Sequence, residues 1–237
     1  MQALILAAGR GSRLLSLTDD KPKCLVELKG KPLLHWQIMA LQDVGIQNIA
    51  VVTGYLGNKI QHLGLKKKFE NKSWETSNMV VSLFCADEYL MADTTIVSYS
   101  DIVYEFKIVE KLMSDGSDVA ITYDVNFQKL WSARFDNPLQ DLESFKIDKN
   151  SFLQEIGKKP KNFNEIQGQF MGLLRFTKHG WNDAKKILQG YDINKLDCTT
   201  MLQILITKGR KIKAVAISDK WGEIDTISDL ELYEKIY

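Results

Sequence analysis

No stretch of this sequence comes near the roughly 20 consecutive apolar residues that span a bilayer. The N-terminal apolar run Leu4 to Ala8 is too short for a secretion signal and has no basic segment ahead of it. A cytoplasmic protein without membrane contact is therefore expected. Cysteine is scarce as well. Cys24, Cys85 and Cys198 are odd in number, far apart, and form no Cys-x-x-Cys pair. That argues against a disulfide framework or a structural zinc site, and for a reducing compartment. His35, His62 and His179 are scattered, so packing or surface roles are expected of each. An excess of one charge is also missing, since 31 basic and 30 acidic residues leave a net +1. General binding of nucleic acid or of a membrane surface needs a basic excess, so neither partner is expected. Internal repeats and low-complexity linkers are absent.

What is present suits a globular α/β protein. The chain has 237 residues, 45% hydrophobic, enough for one sizeable core. Apolar runs at Gln2–Ala7, Ile49–Val52, Thr95–Tyr99 and Val119–Tyr123 read as buried strands. Between them, Pro32–Val44, Asn58–Leu63, Asn78–Met91 and Phe106–Met113 read as helices, and Lys66 to Lys68 as a solvated loop. This alternation predicts a Rossmann-like, doubly wound, mostly parallel sheet. After Asp124 the pattern changes. Ser144–Lys149 and Ser151–Ile156 read as a hairpin, and Gln169–Phe176 as a strand rejoining a sheet. Helices are expected at Trp181–Leu188 and Thr199–Thr207, and a last strand at Lys213–Ile217. Ser228 and Glu231 have capping-box spacing at the start of a C-terminal helix. The expectation is one domain, 1–237, with 124–168 as a small β-rich insertion or lid on the acceptor side.

The segment Leu4–Leu25 carries the chemistry: LILAAGRGSRLLSLTDDKPKCL. Gly9-Arg10-Gly11-Ser12-Arg13-Leu14 is an incomplete dinucleotide fingerprint, because Leu14 stands where the third glycine belongs. No Gly-Lys-Ser/Thr follows, so it is not a Walker A loop either. Yet Ala7, Ala8, Gly9 and Gly11 let a ligand lie on the backbone, whose N–H groups form an anion nest. Arg13, Lys21 and Lys23 can neutralise what sits there. A plain basic surface loop explains the charges but not the small residues beside them.

Leu-Ala-Ala-Gly-x-Gly-Ser-Arg-Leu followed by Thr18-x-x-x-Pro22-Lys23-Cys24-Leu25 resembles the signature of nucleotidyltransferases that activate sugar phosphates and small phosphorylated alcohols. Lys31-Pro32-Leu33 and Gly45-Ile46 continue the resemblance. Ser77-Asn78 with Ser82-Leu83, Lys129-x-Trp131, Arg134, Asp141-x-Glu143, Gly168 to Gly172 and Trp221 to Thr226 are similar to the phosphocholine cytidylyltransferase branch. The resemblance covers nearly the whole chain and implies a GT-A-like nucleotidyltransferase fold. It implies that a phosphate or phosphonate oxygen of a small acceptor attacks the α-phosphorus of CTP and that pyrophosphate leaves. Mg²⁺ is the implied cofactor, and capsule or surface-polysaccharide modification the implied setting.

Asp101 follows the strand through Tyr99, and Asp225 follows the last strand; both match the family's metal-binding aspartates. Each also suits a helix cap or turn. Lys23 is expected at the α-phosphate and Arg13 at the β- and γ-phosphates. Leu6, Ala7, Ala8, Gly9, Gly11, Ser12 and Gly54 are expected to meet the nucleotide by close backbone approach, and Asn78 and Ser82 to read cytosine, with Asp101 beside it. Trp131, Gln169, Tyr191 and Glu223 are the acceptor-side candidates, with Trp74 behind them. Two departures matter: Gln169 stands where the branch has glutamate, and Ser77-Asn78 replaces a pair of asparagines. Phosphocholine, 2-aminoethylphosphonate and phosphoglutamine are acceptors in this wider group, and the glutamine suits an acceptor of mixed charge or one bearing an amide. The competing expectations are a sugar-1-phosphate uridylyl- or guanylyltransferase and a non-catalytic nucleotide-sensing subunit. The latter would be expected to lose Lys23, Asp101 or Asp225, all of which are present.

Overall fold

All six residues of β1 (Gln2–Ala7) are buried, and the strand lies inside a seven-stranded sheet. This is a computed structural model and it describes residues 1–237. The other strands are β2 (Ile49–Thr53), β3 (Lys67–Glu70), β4 (Thr95–Tyr99), β5 (Val119–Asp124), β6 (Gln169–Phe176) and β7 (Lys213–Ile217). Their order across the sheet is β7-β5-β6-β4-β1-β2-β3. Only β6 is antiparallel to its neighbours, so the sheet is mostly parallel, as the apolar runs predicted. Leu6 pairs with Val52 on one side and Tyr99 on the other, which brings the C-terminal ends of three strands to one rim. Open α/β sheets bind ligands at that rim. Gln169, the first residue of antiparallel β6, pairs with Asp124 at the end of β5 and reaches the same rim.

Helix α1 (Leu33–Asp43) buries Leu33, Leu34, Ile38 and Leu41 at three- and four-residue spacing. Gly45 ends it in the left-handed region at φ 84°, and Ile46 N–H donates back to Leu41 O at 3.0 Å. Trimming one such core leucine to alanine costs about 2–5 kcal/mol. A second, smaller core of Leu14, Val26, Leu28, Leu33, Val103, Ile224 and Tyr233 ties the N-terminal loop to the C-terminal segment.

Several local expectations change. The helix over 78–91 is two helices, α2 (Met79–Cys85) and α3 (Asp87–Leu90), because Ala86 leaves helical geometry at φ −106°, ψ 24°. Asn58–Leu63 holds only one tight turn, Gly57–Lys59; Ile60 alone is buried there, too little apolar surface to anchor a helix. The lysine run is edge strand β3, paired parallel with β2, its charges guarding an open edge. Helices α4 (Phe106–Ser114), α5 (Phe127–Arg134), α6 (Lys178–Leu188), α7 (Cys198–Thr207) and α8 (Ile227–Ile236) complete the chain. The capping box of α8 is Thr226 with Asp229, not Ser228 with Glu231, because buried Asp229 is also held by Arg134. Residues 124–168 begin with α5, which apolar periodicity did not reveal, before the hairpin Phe145–Ile147/Leu153–Ile156. The three cysteines are free. His35 and His62 contact each other, Nδ1 to Nε2 at 2.8 Å, and His179 pairs with Asp118 on the surface.

Candidate active site

Beyond β1 the chain runs Ala8-Gly9-Arg10-Gly11, and the amides of Gly9, Arg10 and Gly11 have no backbone partner. Gly11 sits at φ 74°, where a Cβ would stand 2.7 Å from the Lys23 Cβ. The loop and the lysine side chain are therefore packed as one unit. This loop is one wall of a cleft of about 260 Å³. Leu6, Ala8, Gly9, Gly11, Arg13 and Lys23 line that wall; Asn78, Ser82 and Asp101 line the others. Three expected nucleotide contacts lie elsewhere. Ala7 points into the main core, and Ser12 is exposed outside the cleft. Gly54 is also off the cleft: its missing Cβ makes room for Trp74 and for the Ala8 carbonyl, each 2.6 Å from where a Cβ would be. Trp74 lines this cleft, edge-on to Tyr55, rather than backing the acceptor side. Asn78 caps α2, its side-chain oxygen accepting from Met79 N–H at 2.8 Å. Buried Ser82 accepts from Asn71 Nδ2 at 3.1 Å, and Asn71 itself lines the cleft.

Two short strands bring the acidic residues together. Ile102–Tyr104 pairs antiparallel with Trp221–Glu223, and Ile224 N–H donates to the Asp101 carbonyl at 2.9 Å. Residues over a hundred positions apart thus meet at the rim. Neither aspartate is a helix cap; Thr226, not Asp225, caps α8. Lys23 Nζ lies 2.7 Å from Asp101 Oδ2 and 2.5 Å from Asp225 Oδ1. Arg13 approaches Asp225 Oδ1 at 2.9 Å. Asp101, Glu223 and Asp225 each offer an oxygen within 4.8 Å of the others. At such spacing two carboxylates repel by about 3–4 kcal/mol at an effective dielectric of about 20.

The surrounding cations answer that repulsion. Burial disfavours the Lys23 ammonium, but Asp101 and Asp225 more than offset this and its pKa is raised. The Arg134 side chain, shielded from solvent, reaches Glu223 at 2.9 Å and Asp229 at 2.8 Å. Burial and the Asp225 charge push the Glu223 carboxyl upward, against the pull of Arg134. One oxygen, Asp101 Oδ1, is buried with no partner. A tight set of three oxygen ligands with an unpaired buried lone pair fits a hard divalent cation.

A second cleft of about 240 Å³ adjoins the first and shares Arg13, Met79 and Tyr99 with it. Of the four acceptor-side candidates, Trp131, Gln169 and Glu223 line it, together with Asp225. Tyr191 does not: it follows α6 and is 38% exposed on the surface, where the chain turns at Gly190, φ 93°. Trp131 is 2% exposed and pinned, its Nε1–H donating to Asp141 Oδ2 at 2.8 Å. Asp141, Glu143 and Asp197 also line this cleft and had been given no role. Asp141 and Glu143 did lie inside a recognised motif, and Arg134 beside them. Asn71 and Asp197 carried no local signal.

Residues 3–153 match the family model of the MobA-like NTP transferase domain. The chain belongs to that family of nucleotidyltransferases. It is 39% identical to the CTP:phosphoglutamine cytidylyltransferase of Campylobacter jejuni over 98% of each chain. Its fold is similar to the inositol-1-phosphate CTP transferase from T. maritima, with TM-score 0.78, 22% identity, and 99% and 95% of the two chains covered. It is also similar to the CTP:phosphocholine cytidylyltransferase from Streptococcus pneumoniae, with TM-score 0.73, 20% identity, and 99% and 98% covered.

Proposed function

We infer that this transferase is a cytidylyltransferase. It joins CMP from CTP to a small phosphorylated or phosphonate acceptor and releases pyrophosphate. The observation that carries this reading is the position of Lys23, between Asp101 and Asp225, where the two clefts meet. The first cleft takes the nucleotide: the free amides of Gly9 to Gly11 and the Arg13 guanidinium face the triphosphate, and Asn78, Ser82 and Asn71 the base. The second takes the acceptor. The 39% identity over nearly the whole length supports CTP as the nucleotide and phosphoglutamine as the first acceptor to try.

The acceptor's phosphate oxygen attacks the α-phosphorus, forming one P–O bond as the bond to the β-phosphate oxygen breaks. Pyrophosphate leaves with the electron pair. An ionised phosphate needs no general base, which agrees with the three histidines standing off the two clefts. The protein's task is to hold two anions in line and neutralise their charge. Lys23 swings from the carboxylates toward the α-phosphate, and Arg13 holds the departing pyrophosphate. Asp101 and Asp225, with Glu223 beside them, would hold Mg²⁺, which supplies Lewis-acid polarisation of the phosphate oxygens. A CTP-dependent reaction and three unpaired cysteines fit the cytoplasm. A CDP-linked product fits a donor for surface-polysaccharide modification.

The test is a panel of CTP and UTP against phosphoglutamine, phosphocholine, 2-aminoethylphosphonate and several sugar-1-phosphates, scored by the mass of the product. CDP-linked product from a non-sugar acceptor is expected. Strong turnover with UTP and a sugar phosphate, and none with CTP, would overturn the reading.

A further inference from the structure

Asn71 is 2% exposed where it lines the nucleotide cleft, and its backbone is fixed there. Its N–H donates to the Thr53 carbonyl at 2.8 Å, which continues the pairing of β3 with β2 by one residue. The side-chain amide then faces in one sense only. Ser73 N–H donates to Asn71 Oδ1 at 3.0 Å. A backbone N–H can only donate, so the atom it meets is the amide oxygen and the NH₂ group faces the other way. That group gives one proton to Ser77 Oγ and the other to Ser82 Oγ, each at 3.1 Å. Asn71 has no donor left for a ligand.

This arrangement fixes the polarity of Ser82, which is buried in α2 and lines the same cleft. A hydroxyl has one proton to give and accepts through its lone pairs. Ser82 Oγ accepts from Asn71, and that is its single hydrogen bond. Thr207 in α7 turns its hydroxyl back to the Gln203 carbonyl one turn earlier, but Ser82 makes no such bond. Ser77 differs again, because its own proton has a long contact back to Asn71 Oδ1 at 3.5 Å. The Ser82 proton alone is left without an acceptor. A buried donor in that state is costly, and an acceptor on the occupant of the cleft removes the cost.

We propose that Asn71 is a positioning residue for the choice of nucleobase. By donating to Ser82 it makes that hydroxyl a donor toward the cleft, and the donor selects a base whose ring nitrogen accepts. The inference rests on the reading of this cleft as the nucleotide site. Cytosine N3 is such an acceptor, whereas uracil carries N3–H. The O2 carbonyl is common to both bases, so a donor spent on O2 would not separate them. A donor facing N3 gains a hydrogen bond from cytosine and is left opposed to a second donor in uracil. Asn71 thus acts on the base through Ser82.

The experiment measures binding of CTP, UTP and 3-deaza-CTP, in which C–H replaces the ring nitrogen, by titration calorimetry on the whole protein without acceptor. Turnover is measured separately by pyrophosphate release. Wild-type protein should bind CTP at least about tenfold more tightly than either analogue. Asn71→Asp keeps the shape and the bond from Ser73 N–H, but its carboxylate takes the Ser82 proton and turns lone pairs toward the base. UTP affinity relative to CTP should then rise at least about tenfold. Ser82→Ala should lose about fivefold in CTP affinity while 3-deaza-CTP moves less than about twofold. Melting curves check folding; if Asn71→Asp does not fold, Ser82→Ala and the wild-type analogue comparison decide. Wild-type binding of UTP or 3-deaza-CTP as tight as CTP, no binding of any of the three, an unchanged CTP-to-UTP ratio in Asn71→Asp, or equal losses of CTP and 3-deaza-CTP in Ser82→Ala overturns the inference. Absence of pyrophosphate release with every acceptor would instead overturn the cytidylyltransferase reading, and the binding comparison would still decide the role of Asn71.

Discussion

Replacing Lys23 by methionine separates the two tasks assigned to that side chain. Methionine keeps most of the stem that packs on Gly11 and removes the charge between Asp101 and Asp225. Asp101 then has no side-chain partner at all, because its other oxygen is already unpaired. Breaking a buried pair from one side costs about 3–5 kcal/mol. Arg13 still touches Asp225 at 2.9 Å, so the lower end, about 3 kcal/mol, is the better figure here. For a chain of this length each kcal/mol moves the melting temperature by about 2–4 °C, which gives a drop of about 6–12 °C without divalent ions. Millimolar Mg²⁺ should recover most of it, since a cation among three carboxylates replaces the missing ammonium. Saturation at about 100 times Kd is worth about 2.7 kcal/mol. Wild-type protein should gain less from Mg²⁺, because there the ion competes with Lys23. Turnover should fall about 10²–10³-fold and stay low in Mg²⁺, as a lost charge at the reacting phosphate is not replaced by folding. Differential scanning fluorimetry with and without Mg²⁺, beside a pyrophosphate-release assay, reads both effects. A Tm within a degree of wild type, or a deficit indifferent to divalent ions, refutes the proposed balance of charge.

Asp101→Asn and Asp225→Asn should each lower Mg²⁺-dependent turnover by about 10²-fold or more, with circular dichroism still showing a folded protein; unchanged activity in either refutes its metal assignment. Gly11→Ala places a Cβ 2.7 Å from the Lys23 Cβ at a positive φ, so it should weaken turnover more than it lowers CTP affinity, measured as kcat against KM. The Glu143 carboxyl is pushed up to about 7 by burial and by the Asp197 charge, with Asp141 adding and Lys159 opposing. Glu143 lines the second cleft, so acceptor KM should change between about pH 8 and 6, and Glu143→Gln should flatten that limb. The folded state keeps a proton that the unfolded chain releases, so this group favours folding at low pH. That contribution is lost between the ordinary 4.5 and about 7 as pH rises, and acid–base melting curves of Glu143→Gln should lack it.

The parts of the fold that were legible in the sequence are those governed by local pattern. Fully buried strands such as β1 and β5 read as apolar runs, and α1 showed both its periodic face and its terminal glycine. Edge strand β3 was illegible because its lysines face solvent and its pairing is supplied by β2, a long-range partner. Helix α5 was hidden for a related reason. It buries only Phe127 and Trp131, and its anchor is Arg134, a charged residue that a hydrophobic pattern passes over. The same distinction runs through the site. Lys23 and the glycines around it announce themselves, because a backbone that must approach a ligand closely constrains consecutive residues.

The acceptor cleft has no such constraint. Its walls come from α5, the segment around 141–143, the start of β6 from Gln169 to Gly172, and Asp197 ahead of α7. Each of its motifs marks a few residues, but the cleft itself exists only where these distant segments converge. Gln169 illustrates the point. In its own motif, it stands for the branch's glutamate and suits an acceptor of mixed charge or one bearing an amide. In place, it stands among Asp141, Glu143 and Asp197 on the lining of the second cleft, so that wall stays acidic without the glutamate, which the motif by itself does not reveal.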